Sequence, residues 1–189
     1  MNVSSDGELE AASEAEQLVL EAISLRGVAD FSELPAESRQ LRATFLEELI
    51  AGTRPETAPL CCPLRIRGAR ILGPIRVLPT ARDGSNMTWL FCGCHFNSPV
   101  DFSGADCLAL RLVDCTLPAF IGISLTTKAD LDLSGCNFCG VRNHASDLAV
   151  VGNCAVHLNH SRIGGRLLLS ATPQARNETS GSVRIDYSL

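Results

Sequence analysis

The sequence predicts a mainly β solenoid: coils of short strands stacked around a narrow apolar core, preceded by a short helical segment. Three observations predict it. A fourteen-residue pattern recurs five times, starting at Leu64, Trp89, Leu110, Leu131 and Val156, at intervals of 25, 21, 21 and 25 residues; self-similarity at such a period marks a solenoid. Within the pattern, large apolar residues alternate with a position that is usually polar, the period of a strand with one buried face. Interior pairs then recur five residues apart, so the chain turns a corner every five residues.

The copies read LRIRGARILGPIRV, WLFCGCHFNSPVDF, LRLVDCTLPAFIGI, LDLSGCNFCGVRNH and VHLNHSRIGGRLLL. Column one is Leu64, Trp89, Leu110, Leu131 and Val156, and column three is Ile66, Phe91, Leu112, Leu133 and Leu158. Column two, between them, holds Arg65, Arg111, Asp132 and His157, with Leu90 the exception. Column six holds only small residues: Ala69, Cys94, Cys115, Cys136 and Ser161. Column eight is Ile71, Phe96, Leu117, Phe138 and Ile163. A further interior step is expected at columns twelve and fourteen, as Ile75/Val77, Val100/Phe102, Ile121/Ile123 and Leu167/Leu169, broken in the fourth copy by Arg142 and His144. Four corners take about twenty residues per coil at five residues each, so the two longer intervals should carry loops, at 79–86 and 143–147. The register is cleanest from Val100 to Leu117, in the pairs Val100/Phe102, Ala105/Cys107, Leu110/Leu112 and Cys115/Leu117.

The segments DFSGADC, DLSGCNF and RIRGARI resemble members of the pentapeptide-repeat superfamily, whose theme is Ala-(Asp/Asn)-Leu-x-x. The likeness spans roughly residues 60–189 and is to bacterial proteins with a helical N-terminal segment and an LRIRGARI-type first coil. It implies a right-handed, four-sided parallel β-helix with a short N-terminal α-helical cap. Some members of that superfamily imitate DNA and bind type II topoisomerases. That use needs an acidic face, and residues 61–189 carry 9 acidic against 12 basic groups, net +3.

Residues 1–60 are of different character, with 12 acidic and 4 basic groups, net −8. Residues 1–12 read as a disordered N-terminus and 13–59 as an acidic helical hairpin that caps the first coil. Ser13 and Glu16 have capping-box spacing. Leu18, Val19, Ala22, Ile23 and Leu25 follow on one side, and Gly27 is placed to end the helix. A second helix is expected from near Pro35 to Gly52, with Leu41, Phe45 and Leu49 on one face. Both helices are too short to stand alone, and the open end of a β-helix exposes unpaired strand edges that a cap would cover.

A chain of 189 residues with 46% apolar and 5% aromatic content suits one domain, or one domain and a cap, around a narrow core. No apolar run approaches the length of a membrane span. The acidic, polar N-terminus is unlike a signal peptide. Nine cysteines without a secretory context point to a reducing, cytoplasmic setting.

Candidate chemistry is sparse. Cys92/Cys94/His95 and Cys136/Cys139 have metal-ligand spacing, but Cys94, Cys115 and Cys136 share one interior column, where a reduced thiol is a small apolar filler. No metal and no cofactor is expected. His144, His157 and His160 lie close in sequence, beside Ser161 and Cys154. Ser161, however, belongs to the interior column, and no nucleophile, metallohydrolase, phosphate-loop or dinucleotide motif is present. The chain is therefore read as a non-catalytic protein-interaction scaffold, part of a larger assembly. The surface signal is a set of outward arginines: Arg65, Arg67, Arg70 and Arg76 on the first coil, with Arg111 and Arg162 repeating two of their columns. Such a patch suits a protein contact, including the chain's own acidic cap, or alternatively a nucleic-acid backbone. The segment 183–189 matches columns one to seven of a sixth copy, an unfinished coil whose edge invites self-association or docking on a partner.

Overall fold

A computed structural model of the chain describes residues 13–51, 53, 63–77, 87–129, 131–139, 148–153, 156–163, 167–171 and 183–184. They form a mainly β solenoid in which every strand pairing is parallel. The first side is a seven-stranded sheet of β1 (Ala29–Asp30), β3 (Leu64–Arg67), β6 (Thr88–Cys92), β10 (Ala109–Val113), β13 (Leu131–Asp132), β16 (Val156–His157) and β19 (Val183–Arg184). The second side is six-stranded: β2 (Gln40–Arg42), β4 (Arg70–Leu72), β7 (His95–Phe96), β11 (Thr116–Leu117), β14 (Asn137–Phe138) and β17 (Arg162–Ile163). The third side stacks β5 (Ile75–Arg76), β8 (Val100–Asp101), β12 (Phe120–Thr127), β15 (Leu148–Asn153) and β18 (Leu167–Ala171). The expected fourth side is ladder-paired, among the described residues, only where β9 (Asp106–Cys107) meets the end of β12.

Strands of two to eight residues have no stability alone; stacking supplies it, because each coil buries its apolar face only against its neighbours. The columns read from the sequence are the ladder registers. Leu64 pairs with Trp89, Trp89 with Leu110, Leu110 with Leu131 and Leu131 with Val156. Columns one, three and eight are buried from the first copy through the fourth. Aromatic rings tie the stack internally: Trp89 to Phe102 at 5.5 Å, Phe91 edge-on to Phe96 at 5.7 Å, and Phe102 stacked on Phe120 at 6.0 Å.

The first corner depends on column five, a position the motif reading passed over. Gly68, Gly93, Asp114, Gly135 and His160 occupy it, and all five have φ between 54° and 70°. Glycine takes this left-handed conformation freely, and Asp and His are among the residues that tolerate it best. The chain thus bends at the same residue in each of these five copies.

The N-terminal segment is more than a helical hairpin. The capping box forms as expected: the Glu16 amide donates to Ser13 Oγ, and the Ser13 amide donates to Glu16 Oε2 at 3.0 Å, opening α1 (Glu14–Ser24). Its end is a Schellman turn in which the Gly27 amide bonds Ala22 and the Arg26 amide bonds Ile23. The left-handed residue there is Arg26, not Gly27. Between the helices the chain lays two strands onto the first coil. In β1, Ala29 pairs with Ile66; in β2, Leu41 pairs with Ile71. The expected second helix is therefore a 3-10 turn at Ala36–Arg39, the strand β2, and α2 (Ala43–Ala51). Leu41 fits a helical stripe with Phe45 and Leu49 and fits a strand equally well; the open edge of β4 decides for the strand. This segment is a coil in its own right, with α2 packed against β5 where a strand of the third side would lie.

The third side slips by one residue in the third copy. Phe120, not Ile121, pairs with Val100, so Phe120 and Gly122 face inward while Ile121 is half-buried and Ile123 is 49% exposed. The corner before β12 is one residue shorter than its counterpart before β8, and a one-residue shift turns every side chain to the other face. A bulge between Ile123 and Leu125 moves the pairing with β15 by one residue, and Leu125 is buried; against the preceding coil the slip persists through Thr126 and Thr127, which pair with Asp106 and Cys107, and is made up before Leu131. In the fourth copy this side is delayed and not lost: Leu148 and Val150 pair with Phe120 and Gly122 and are buried. The expected loops at 79–86 and 143–147, the disordered start at 1–12 and the end of the sixth copy at 185–189 lie outside the described residues.

These assignments predict opposite outcomes for two apolar residues of the third copy. Leu112→Ala should cost about 2–5 kcal/mol, as deletion of a fully buried leucine does. Ile123→Asn should stay within about 0.5 kcal/mol, as for an exposed position. Urea melts of both variants check the pair; equal losses would contradict the inward and outward placement.

Candidate functional site

The six arginines are exposed, but they do not leave one surface. Arg65, Arg67 and Arg111 project from the first side, Arg70 and Arg162 from the second, and Arg76 from the third. The first-coil arginines are thus spread around the perimeter, because each side of a coil takes one or two of them. Neighbours in adjacent coils divide the set further. Arg67 Nη1 lies 3.4 Å from Asp30 Oδ2 on β1. Arg111 stands in register with Asp132 on β13, and Arg76 with Asp101 on β8. The Arg76 amide, on the edge of the third sheet, is taken by the Glu47 carboxylate of α2. Arg65 has Leu90 as its ladder neighbour, Arg70 has Gln40 and His95, and Arg162 has Asn137.

The thiol column does more than fill space. Cys94, Cys115 and Cys136 are buried and free. Each sulfur reaches back to the column-three carbonyl of the preceding coil: Cys94 to Ile66 at 3.7 Å, Cys115 to Phe91 at 3.5 Å and Cys136 to Leu112 at 3.0 Å. Ser161 continues the series, its hydroxyl donating to Leu133 at 2.6 Å. A small donor at column six therefore satisfies a carbonyl at the corner, which the motif reading missed by treating the column as filler. The signal was in the sequence: after Ala69 the column holds only Cys and Ser, small residues that carry a donor. The adjoining thiols Cys136 and Cys94, together with burial, push the Cys115 pKa far above the ordinary thiol range, so it is a poor nucleophile.

The other candidates are not assembled into a reactive centre. Among the described residues no group of three or more His, Cys, Asp or Glu side chains converges on a metal position. Cys92 and Cys139 sit in different columns, on the first side and just beyond β14. His157 is half-buried on β16, and His160 is the exposed left-handed residue of the fifth copy. Ser161 is half-buried with its hydroxyl engaged as above. His144 and Cys154 lie outside the described residues.

Two clefts border the N-terminal coil. The larger, of about 420 Å³, is lined by Ser13, Glu14, Glu37, Gln40, Arg42 and Leu72, among others. Behind it Glu16 is fully buried and holds Arg42 by two contacts, Nε to Oε1 at 2.7 Å and Nη2 to Oε2 at 2.8 Å. This fork-to-fork pair fixes α1 to β2. Burial alone would raise the Glu16 pKa. The hydrogen bonds from Arg42 and Ser13 and the Arg42 charge outweigh it, and the net shift is downward. The smaller cleft, of about 190 Å³, lies between α2 and β5 and is lined by Glu47, Glu48, Ile50, Thr53, Arg76 and Val77.

These features define a parallel β-solenoid whose N-terminal segment adds a helix-bearing coil ahead of the repeats. No protein-family model, no curated protein and no solved structure matches this chain. No helix among the described residues is long and apolar enough to cross a membrane.

Two expectations follow from the buried groups. In the native protein a thiol reagent should modify Cys139 readily and leave Cys94, Cys115 and Cys136 untouched until unfolding; mass mapping of the labelled chain checks this, and native labelling of Cys115 at the Cys139 rate would contradict it. Glu16 has a folded pKa below its ordinary value of 4.5. The ionised form is therefore the one favoured by folding. Its contribution is complete above the unfolded pKa and disappears as pH falls through the folded one. Glu16→Gln should lower stability at neutral pH and flatten the loss of stability below about pH 4.5, read as melting temperature against pH.

Proposed function

We propose that this chain is a pentapeptide-repeat-type solenoid that works as a non-catalytic scaffold, binding another protein within a larger assembly in a reducing, cytoplasmic setting. The observation that carries this reading is where the reactive groups go. The repeated thiols and Ser161 are spent on carbonyls inside the coil corners, while the outward rows present flat, strand-built sides of polar and charged residues. Surfaces of that kind recognise partners by spread-out contacts, as solenoids do. Free thiols stacked in successive coils suit a compartment that keeps them reduced. A nucleic-acid reading draws less support, because the cations of the first coil point away from three sides and a phosphate backbone would reach those of one side only.

The test is recovery of the tagged full chain from its native cell after cross-linking, with identification of bound protein by mass. A protein recovered in stoichiometric amount, and lost when the outward arginines are reversed to glutamate, is the expected result. Recovery of nuclease-sensitive material alone, or turnover of a small molecule by the purified chain, would sink the scaffold reading.

A further inference from the structure

Among the described residues, the strands of the second side differ from those of the other two in carrying no carboxylate. Its outward row runs Gln40, Arg70, His95, Thr116, Asn137 and Arg162, in continuous ladder register. The parallel outward row contributes Arg42, Leu72, Asn97 and Cys139. Of this second row Arg42 is held by the buried Glu16, and the exposed acidic groups stand at the rim: Asp114 at the corner residue and Glu14 and Glu37 beside the N-terminal cleft. On the first side, by contrast, Arg67 and Arg111 face Asp30 and Asp132, and on the third side Arg76 faces Asp101. Arg70 and Arg162 are exposed, and their ladder neighbours among the described residues, Gln40 and His95 for Arg70 and Asn137 for Arg162, carry no carboxylate. Four strand spacings separate them, about 19 Å at roughly 4.8 Å per parallel strand. Between them stand His95, Thr116 and Asn137, which offer hydrogen bonds without fixed charge.

Building on the scaffold reading, we propose that this second side is the docking face, and that its occupant is an extended acidic segment of a partner protein laid along the solenoid axis. An extended chain advances about 3.3 Å per residue, so acidic groups about six residues apart would meet Arg70 and Arg162 together. Thr116 and Asn137 would then bond the peptide groups between them. Arginine pairs a carboxylate in two parallel hydrogen bonds, which fixes position as well as charge. A nucleic-acid backbone fits this face less well. Its affinity grows with the number of phosphates neutralised, and the centre of the face is neutral.

The probe is a fluorescent synthetic peptide with aspartate pairs about six residues apart, titrated into the full chain at low ionic strength, where exposed ion pairs are least screened. Arg70→Glu and Arg162→Glu should each weaken binding by about fivefold or more, since each removes one charge-assisted pair, and the double variant should show none. Arg67→Glu and Arg111→Glu should leave it within about twofold, being already offset by their own carboxylates. All four side chains are exposed, and unchanged melting curves certify the variants. Equal weakening by Arg111→Glu overturns the choice of face. Equally tight binding of a peptide with its aspartates contiguous overturns the spacing, and tighter binding of a duplex oligonucleotide overturns the class of partner. If the protein recovered from the native cell still binds the Arg70→Glu/Arg162→Glu chain, this face is wrong and the scaffold reading survives. If no protein is ever recovered, the scaffold reading itself fails.

Discussion

The structure depends on one recurring bend. A coil one side chain wide must reverse direction several times within about twenty residues, without burying an unpaired carbonyl. Column five bends the backbone through a left-handed residue, and column six supplies a small side chain whose donor returns to the carbonyl of the coil below. Asp-x-Ser sequences do related work where a strand leaves its sheet. The Ser103 amide bonds Asp101, and the Ser134 amide and hydroxyl both bond Asp132. Replacing these small polar residues with larger apolar ones would fill the corner and orphan its acceptors, and leaving an acceptor unpaired costs more than a hydrogen bond gains. Apolar columns one, three and eight can do their packing only because the bend brings them to the same place in each coil.

That bend explains which parts of the fold were legible in the sequence. Columns one, three, six and eight flank it and recur with fixed spacing, so their burial could be read directly. The third side lies further from it, beyond corners of unequal length, and there a missing residue placed Phe120 inside and Ile123 outside, against the simple count. The N-terminal coil was hidden for another reason. Its strands Ala29–Asp30 and Gln40–Arg42 are too short for any periodicity to reveal. One cue was available: the run from Ala29 to Ser32, ADFS, repeats the Asp-x-Ser signature of the later coils, and the Ser32 amide and hydroxyl both bond Asp30.

The candidate surface was half legible. Alternation with buried residues identifies every one of the six arginines as outward, but it cannot say which side of a coil each belongs to, or what stands beside it one coil away. Those neighbours are 21 to 37 residues distant in sequence and one strand spacing distant in space. Cross-strand pairs, not residue types, therefore decide whether a charge on this surface is offset or available, and only ladder registers supply them.

The placement of α2 gives the molecule a direction. The first two sheets extend back into the N-terminal coil through β1 and β2, but the third begins at β5, whose edge amide is occupied by the Glu47 carboxylate. A growing stack needs a free row of backbone groups on every side at once, and here one of the three rows is closed by a helix. Addition of a further coil, or of a second molecule in continuous register, is therefore obstructed at this face of the column. The column is thereby polar: on its third side it begins with a helix and not a strand.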